Sequence, residues 1–181
     1  MSIVLQSTSG GSVTINEPTT ASNFTQTLPA STGTVMVSGN QPAFSAYQGT
    51  AQSVTSGVYT KIAFTVENFD TANAFDSTTN YRFTPLVAGY YQVNLLMYGV
   101  GTTMGYSQTA IYKNGVNVSN TLTAAQSSAN CAGMNSILIY MNGSTDYIEG
   151  YGVVSASSGP TIGSTGATNL VQLSGYLARS A

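Results

Sequence analysis

The sequence predicts an all-β protein, a sandwich or jelly roll of about eight to ten strands. Three observations predict it. Runs of β-forming residues recur from position 43 onward, either alternating or continuously apolar. Turn chemistry rich in Gly, Asn and Ser separates them. No segment carries a helical stripe with caps. The one helical candidate, residues 121–132, is short and weak.

Taken in order, residues 1–40 differ from the rest. Their apolar residues come in brief clusters: Ile3, Val4 and Leu5, then Val13 and Ile15, Phe24 and Leu28, Val35 and Val37. Ser, Thr, Gly and Pro lie between. The clusters alternate as short strands do, and they cannot build an independent core. An extended N-terminal arm that lies on something else is the expected state. Gly39-Asn40-Gln41-Pro42 marks the boundary, with one domain over residues 41–181. Strands are expected near 43–48, 57–66, 81–84, 89–99, 106–113, 116–123, 134–141, 147–154 and 170–178. Asn114-Gly115 reads as a two-residue hairpin turn, since both residues tolerate positive φ. Residues 101–105 and 155–168 read as loops, and no internal repeat is visible.

Composition excludes several functions. Of 181 residues, 6% are charged, with Lys+Arg 4 against Asp+Glu 6. Four scattered cations cannot form the basic patch that nucleic acid requires, nor a basic membrane-surface helix. No apolar run reaches the roughly 18–20 residues of a membrane span. The start of the chain shows no signal peptide. A surface poor in Lys and Glu but rich in Tyr, of which there are 12, suits a protein packed in an assembly.

Catalytic chemistry is sparse. There is no His, which removes His-based nucleophile systems and His-ligated metals. The single Cys131 permits no intrachain disulfide and reads as a buried small hydrophobe. Glu67, Asp70 and Asp76 form the one local carboxylate cluster. Asp70 and Asp76 suit Asx turns at loop entries better than a Ca²⁺ site. Asp146 and Glu149 are expected on opposite sides of one strand, which disfavours glycoside cleavage. The expectation is a non-enzyme with no catalytic residue, no metal and no cofactor.

Several segments carry a resemblance in order along the chain. They are Pro42-Ala43-Phe44-Ser45-Ala46-Tyr47, residues 62–70 (IAFTVENFD), and residues 74–85 (AFDSTTNYRFTP). They continue with Ala88-Gly89-Tyr90-Tyr91-Gln92-Val93, Ile111-Tyr112-Lys113-Asn114-Gly115, residues 136–148 (SILIYMNGSTDYI) and Ser174-Gly175-Tyr176-Leu177. Together they resemble the complement C1q-like family, which shares a trimeric jelly roll with tumour necrosis factor. Asn80 stands where the family signature has Gly, and no collagen-like Gly-X-Y segment precedes the domain. The arm sequence VTINEPTTASNFTQTLPASTGTV is similar to segments of tailed-phage structural proteins. Arm and head together resemble phage capsid cement proteins, including those of cyanophages.

The resemblance implies a jelly roll of about ten antiparallel strands and a homotrimer about a threefold axis. Phe44, Tyr47, Tyr81, Phe83, Tyr140 and Tyr176 are the expected aromatic anchors of the trimer interface. The expected partners are the chain itself and a major capsid protein, with no nucleic acid and no membrane. Ile3, Val4, Leu5, Val13, Ile15, Phe24, Leu28, Val35 and Val37 are the expected capsid contacts. The expected location is the virion surface, after synthesis in a host cytoplasm. The alternative is a tail-fibre or receptor-binding head recognising a host glycan.

Overall fold

The computed structural model describes residues 2–16, 19, 23, 25, 41–125, 129–164 and 169–181. The chain divides into two compact units, Met1–Val35 and Met36–Ala181. In the first, β1 (Ser2–Gln6) and β2 (Ser12–Asn16) pair antiparallel, with Ile3 opposite Ile15 and Leu5 opposite Val13. These two clusters therefore pair with each other as a hairpin. Its turn is closed by the Ser7 and Gly11 backbones, with Gly10 at φ +87°. Phe24, Leu28, Val35 and Val37 lie outside the described residues.

The second unit begins with β3 (Ala43–Tyr47), β4 (Gln52–Ser53), β5 (Thr60–Lys61), β6 (Val66–Asp70), β7 (Phe75–Asp76) and β8 (Arg82–Phe83). It continues with β9 (Gly89–Lys113), β10 (Val116–Ala124), β11 (Asn130–Met141), β12 (Ile148–Ile162) and β13 (Gln172–Ser180). The strand β9 spans 25 residues and organises the unit. Its first half lies between β13 and β11, and its second half between β12 and β10. One layer is therefore β6-β3-β13-β9-β11. The other joins β4, β5 and β8 to β12, then the far half of β9, then β10. The fold class is all-β, an antiparallel jelly roll.

Alternation along the strands faces one side of each layer inward. Tyr91, Val93, Leu95 and Met97 of β9 meet Ile111, Ile148 and Val154 in one core. Gly150 and Gly152 leave space on the inner face of β12. A Cβ on Gly150 would lie 3.2 Å from Leu95 Cδ1, and one on Gly152 would lie 2.2 Å from Met97 Sδ. Tyr91 is fully buried and donates its hydroxyl to the Val87 carbonyl at 2.8 Å. Burial pushes its pKa up to about 12.

Several expectations meet the structure directly. Asn114 and Gly115 turn the β9–β10 hairpin at φ +53° and +77°. Residues 101–105 are not a loop, nor are 155–162. They are strand, paired Ser155 to Tyr106, Ala156 to Met104 and Ser158 to Thr102. Small side chains make this ribbon possible, since a Cβ on Gly101 would sit 2.5 Å from the Ala156 Cβ. The helical candidate at 121–132 is also strand at 121–124 and 130–132. The run 57–66 is broken: Thr60–Lys61 pairs with β12, while Ile62 and Phe64 enter the core outside any ladder. Among the described residues no helix is long and apolar enough to cross a membrane.

Candidate functional site

Carboxylates are the first place to look for chemistry, and here they are committed to the fold. Asp70 accepts from the backbone N–H groups of Ala72, Ala74 and Phe75. Asp76 accepts from those of Thr78, Thr79 and Asn80 at 2.9–3.0 Å and from the Asn80 side chain at 2.7 Å. Both are therefore Asx-type loop ties, as the sequence suggests. Backbone donation from Thr79 and Thr78, then the Asn80 amide, holds the Asp76 carboxyl well below the usual range. Asp146 sits in the turn before β12 and not on that strand, contrary to the sequence expectation. It pairs with Lys113 at 2.7 Å, while Glu149 on β12 pairs with Lys61. The two carboxylates thus serve separate lysines. Cys131 is buried, accepts from the Ser107 hydroxyl at 3.1 Å and faces the Thr123 carbonyl at 3.3 Å.

These ties give a pH dependence. Lys113, then the Asn114 amide, then the Asn142 backbone, hold the Asp146 carboxyl below its ordinary pKa. For Asp146 and Asp76 the unfolded chain binds the proton first as pH falls. Their stabilisation is thus present above the ordinary Asp value of about 4 and is lost below it. The denaturant midpoint is expected to drop as pH is lowered through about 4. Asp146→Asn should lower the midpoint at neutral pH and flatten that drop. An unchanged slope in the variant would show that Asp146 does not contribute.

The surface feature that stands out is the outward face of the β6-β3-β13-β9-β11 layer. Register places its side chains in rows. Tyr90 lies opposite Tyr140, with ring centroids 5.5 Å apart at 61°. The next row runs Tyr176, Gln92, Leu138, and a later one Tyr47, Gln172, Leu96, Met134. Between them lies a polar row, Ser45, Ser174, Asn94, Ser136. Here Gln92 donates to Ser136 at 2.7 Å, Ser136 to Asn94 at 2.8 Å, and Gln172 to Ser45 at 2.8 Å. Arg179 on β13 is the register partner of Tyr90 in the first row, and none of the other positions named is charged. Met134 is 66% exposed and Leu138 56%, and Tyr90, Leu96, Tyr140 and Tyr176 are also exposed. Lys113 closes one end, donating to the Tyr140 carbonyl at 2.8 Å.

The face is contiguous, its Gln and Ser side chains are hydrogen-bonded to one another, and its ions, Arg179 and Lys113, stand at the Tyr90–Tyr140 row. The sequence-predicted anchors divide around it. Tyr140 and Tyr176 stand on the face. Tyr47 and Tyr81 are half-buried, Tyr47 at the edge of the face and Tyr81 just before β8. Phe44 and Phe83 are buried within the chain's own core, their rings stacked at 4.2 Å, and offer nothing to a neighbour. Tyr90, Leu96, Met134 and Leu138, not singled out from the sequence, also stand exposed on this face. Ser136-Ile137-Leu138-Ile139-Tyr140-Met141 is a run apolar on both faces of its strand, and that pattern was legible in the sequence. Of the arm residues, Ile3, Val4, Leu5, Val13 and Ile15 are exposed on the hairpin.

No family model matches the chain, and no curated protein matches its sequence. Solved structures do. The globular domain of zebrafish complement 1qA protein aligns at TM-score 0.56 and 15% identity, covering 78% of this chain and 100% of that one. Murine APRIL at pH 5.0 aligns at TM-score 0.56 and 8% identity, covering 76% and 99%. Eiger TNF from S. frugiperda aligns at TM-score 0.56 and 8% identity, covering 78% and 93%. The fold of this chain is the jelly roll of the C1q and tumour necrosis factor heads.

Proposed function

We propose that this chain is a non-enzymatic structural protein of a phage virion. It forms a homotrimer through the tyrosine-rich outward face of the β6-β3-β13-β9-β11 layer and decorates the capsid through residues 1–40. The observation that carries the reading is that face, apolar and tyrosine-rich, in a fold whose resemblance to C1q and tumour necrosis factor heads implies threefold self-association. The capsid location rests on the likeness of residues 13–35 to phage structural segments. Three arms on one trimer multiply weak contacts through effective concentration. Binding that bridges neighbouring capsomers stabilises a shell by mass action.

Removal of residues 1–40 is expected to leave the sandwich folded and trimeric while abolishing co-sedimentation with capsids. Circular dichroism, light scattering and sedimentation of the same preparation read the three outcomes. An unfolded truncation would move the boundary into the core. A truncation that still binds capsids would remove the arm from the docking role. Copy number addresses the tail-fibre alternative. Decoration predicts abundance in proportion to the major capsid protein, and a fibre predicts abundance in proportion to tail proteins.

A further inference from the structure

One hydroxyl inside the sandwich stands apart from the rest. Thr109 is fully buried, and its Oγ1 has no hydrogen-bond partner among the described residues. Register explains where it points. Ile111 of β9 lies in the core, so Thr109 and Ser107 on the same strand face inward with it. Leu95 and Met97 face inward too, so their partners on β11, Asn135 and Gly133, face inward from the other layer. The two layers meet here through polar groups. Asn135 donates its amide to the Thr109 carbonyl at 3.3 Å and accepts from the Ser119 hydroxyl at 2.8 Å. The Ser107 hydroxyl donates to Cys131 Sγ at 3.1 Å. An unpaired buried hydroxyl is costly, and folded proteins satisfy such groups with protein partners or ordered water.

A second observation shows where a partner fits. Gly133 presents no side chain to Thr109. A Cβ at this position would lie 3.6 Å from Thr109 Oγ1 and 3.3 Å from Thr123 Oγ1. The side of Gly133 left bare therefore faces two hydroxyls, one on β9 and one on β10. The space is small, since Thr109 Cγ2 bounds it at 3.3 Å from the same point. Ser107, Thr109, Ser119, Thr123, Cys131 and Asn135 carry no formal charge, so nothing among them balances an ion. The ligand must be of the smallest size and must both donate and accept, which is the chemistry of water.

We infer that one buried water molecule binds against Gly133 and bridges the Thr109 and Thr123 hydroxyls. It ties the two layers together at the end of the sandwich where, among the described residues, β10 and β11 each pair with β9 alone. The site lies within one chain and does not depend on the homotrimer proposed above.

Thr109→Val tests the site in the full chain, because it removes the hydroxyl and keeps the shape. Denaturant unfolding is measured at fixed protein concentration. Where water satisfies Thr109, the valine deletes a hydrogen bond, and the unfolding constant is expected to rise about three- to tenfold. An orphaned hydroxyl behaves in the opposite way: valine relieves it, and an unchanged or lower constant would overturn the inference. Gly133→Ala supplies a second reading, since its methyl takes the place of the water. Added to Gly133→Ala, Thr109→Val is expected to cost nothing or to stabilise. An equal loss in both backgrounds would assign the effect to packing and overturn the site. A crystal structure of the unsubstituted chain needs no variant. It should show one ordered water within hydrogen-bond distance of both hydroxyls, and a dry contact there would overturn the inference.

Discussion

Leu138→Asp is expected to convert the assembly to monomers without unfolding the chain. Leu138 stands on the outward face of β11, 56% exposed in one chain, beside Gln92 in the row that ends at Tyr176. Its neighbours Ile137 and Ile139 point the other way, toward the core. In a lone chain the new carboxylate meets water, and surface changes of this kind cost within about 0.5 kcal/mol. In a trimer that covers this face it is buried in an apolar row, with the cations Arg179 and Lys113 standing at the neighbouring Tyr90–Tyr140 row. A central interface position truncated or charged costs about 2–4 kcal/mol, roughly two powers of ten in affinity for each chain. Three chains carry the same insult. Val58→Asp, equally exposed but between β4 and β5, serves as the control and is expected to leave the mass unchanged. A Leu138→Asp chain that keeps the mass of the unsubstituted protein would place the interface elsewhere.

Phe83→Ala is expected to act in the opposite way, on folding and not on the surface that meets a neighbour. Phe83 is fully buried in a stack with Phe44 at 4.2 Å, and Tyr91 meets it edge-on at 5.6 Å. Phe75, the register partner of Phe83, also stacks on Phe44 at 5.2 Å. Truncation removes a ring from this cluster and leaves a cavity that β8, only two residues long, cannot close. The expected loss is about 3–5 kcal/mol, read from denaturant unfolding at fixed protein concentration. The residual folded population should keep the oligomeric mass of the parent. Loss of mass with unchanged chain stability would return Phe83 to the interface that the sequence suggested for it.

That contrast shows how much the sequence reveals and where it stops. The all-β class follows from period-two runs and turn residues, and the Asn114-Gly115 hairpin follows from two residues that accept positive φ. Asp70 and Asp76 are legible as loop ties, because short carboxylates near turns bond backbone N–H groups. The layers are not legible. Whether an aromatic such as Phe83 or Tyr140 turns inward depends on which neighbours the register supplies, and the register lies in contacts far apart in sequence. The ribbon of residues 101–105 and 155–162 misleads for a related reason. Gly, Ser and Thr mark loops in most contexts. Here they pair because Gly101 admits Ala156, a fact that exists only once both strands are in place. The outward face is half visible. Its Leu138 and Tyr140 break the alternation expected of a solvated strand, but only the assembled layer brings Tyr90, Leu96 and Met134 beside them.

The central claim is that the outward face of the β6-β3-β13-β9-β11 layer is closed by copies of the same chain. Light scattering of the purified full chain, over a dilution series, tests it most directly. The account predicts three times the mass of one chain, persisting on dilution. A single-chain mass throughout the series would contradict it, leaving that face in water and removing the trimer on which the decoration role depends.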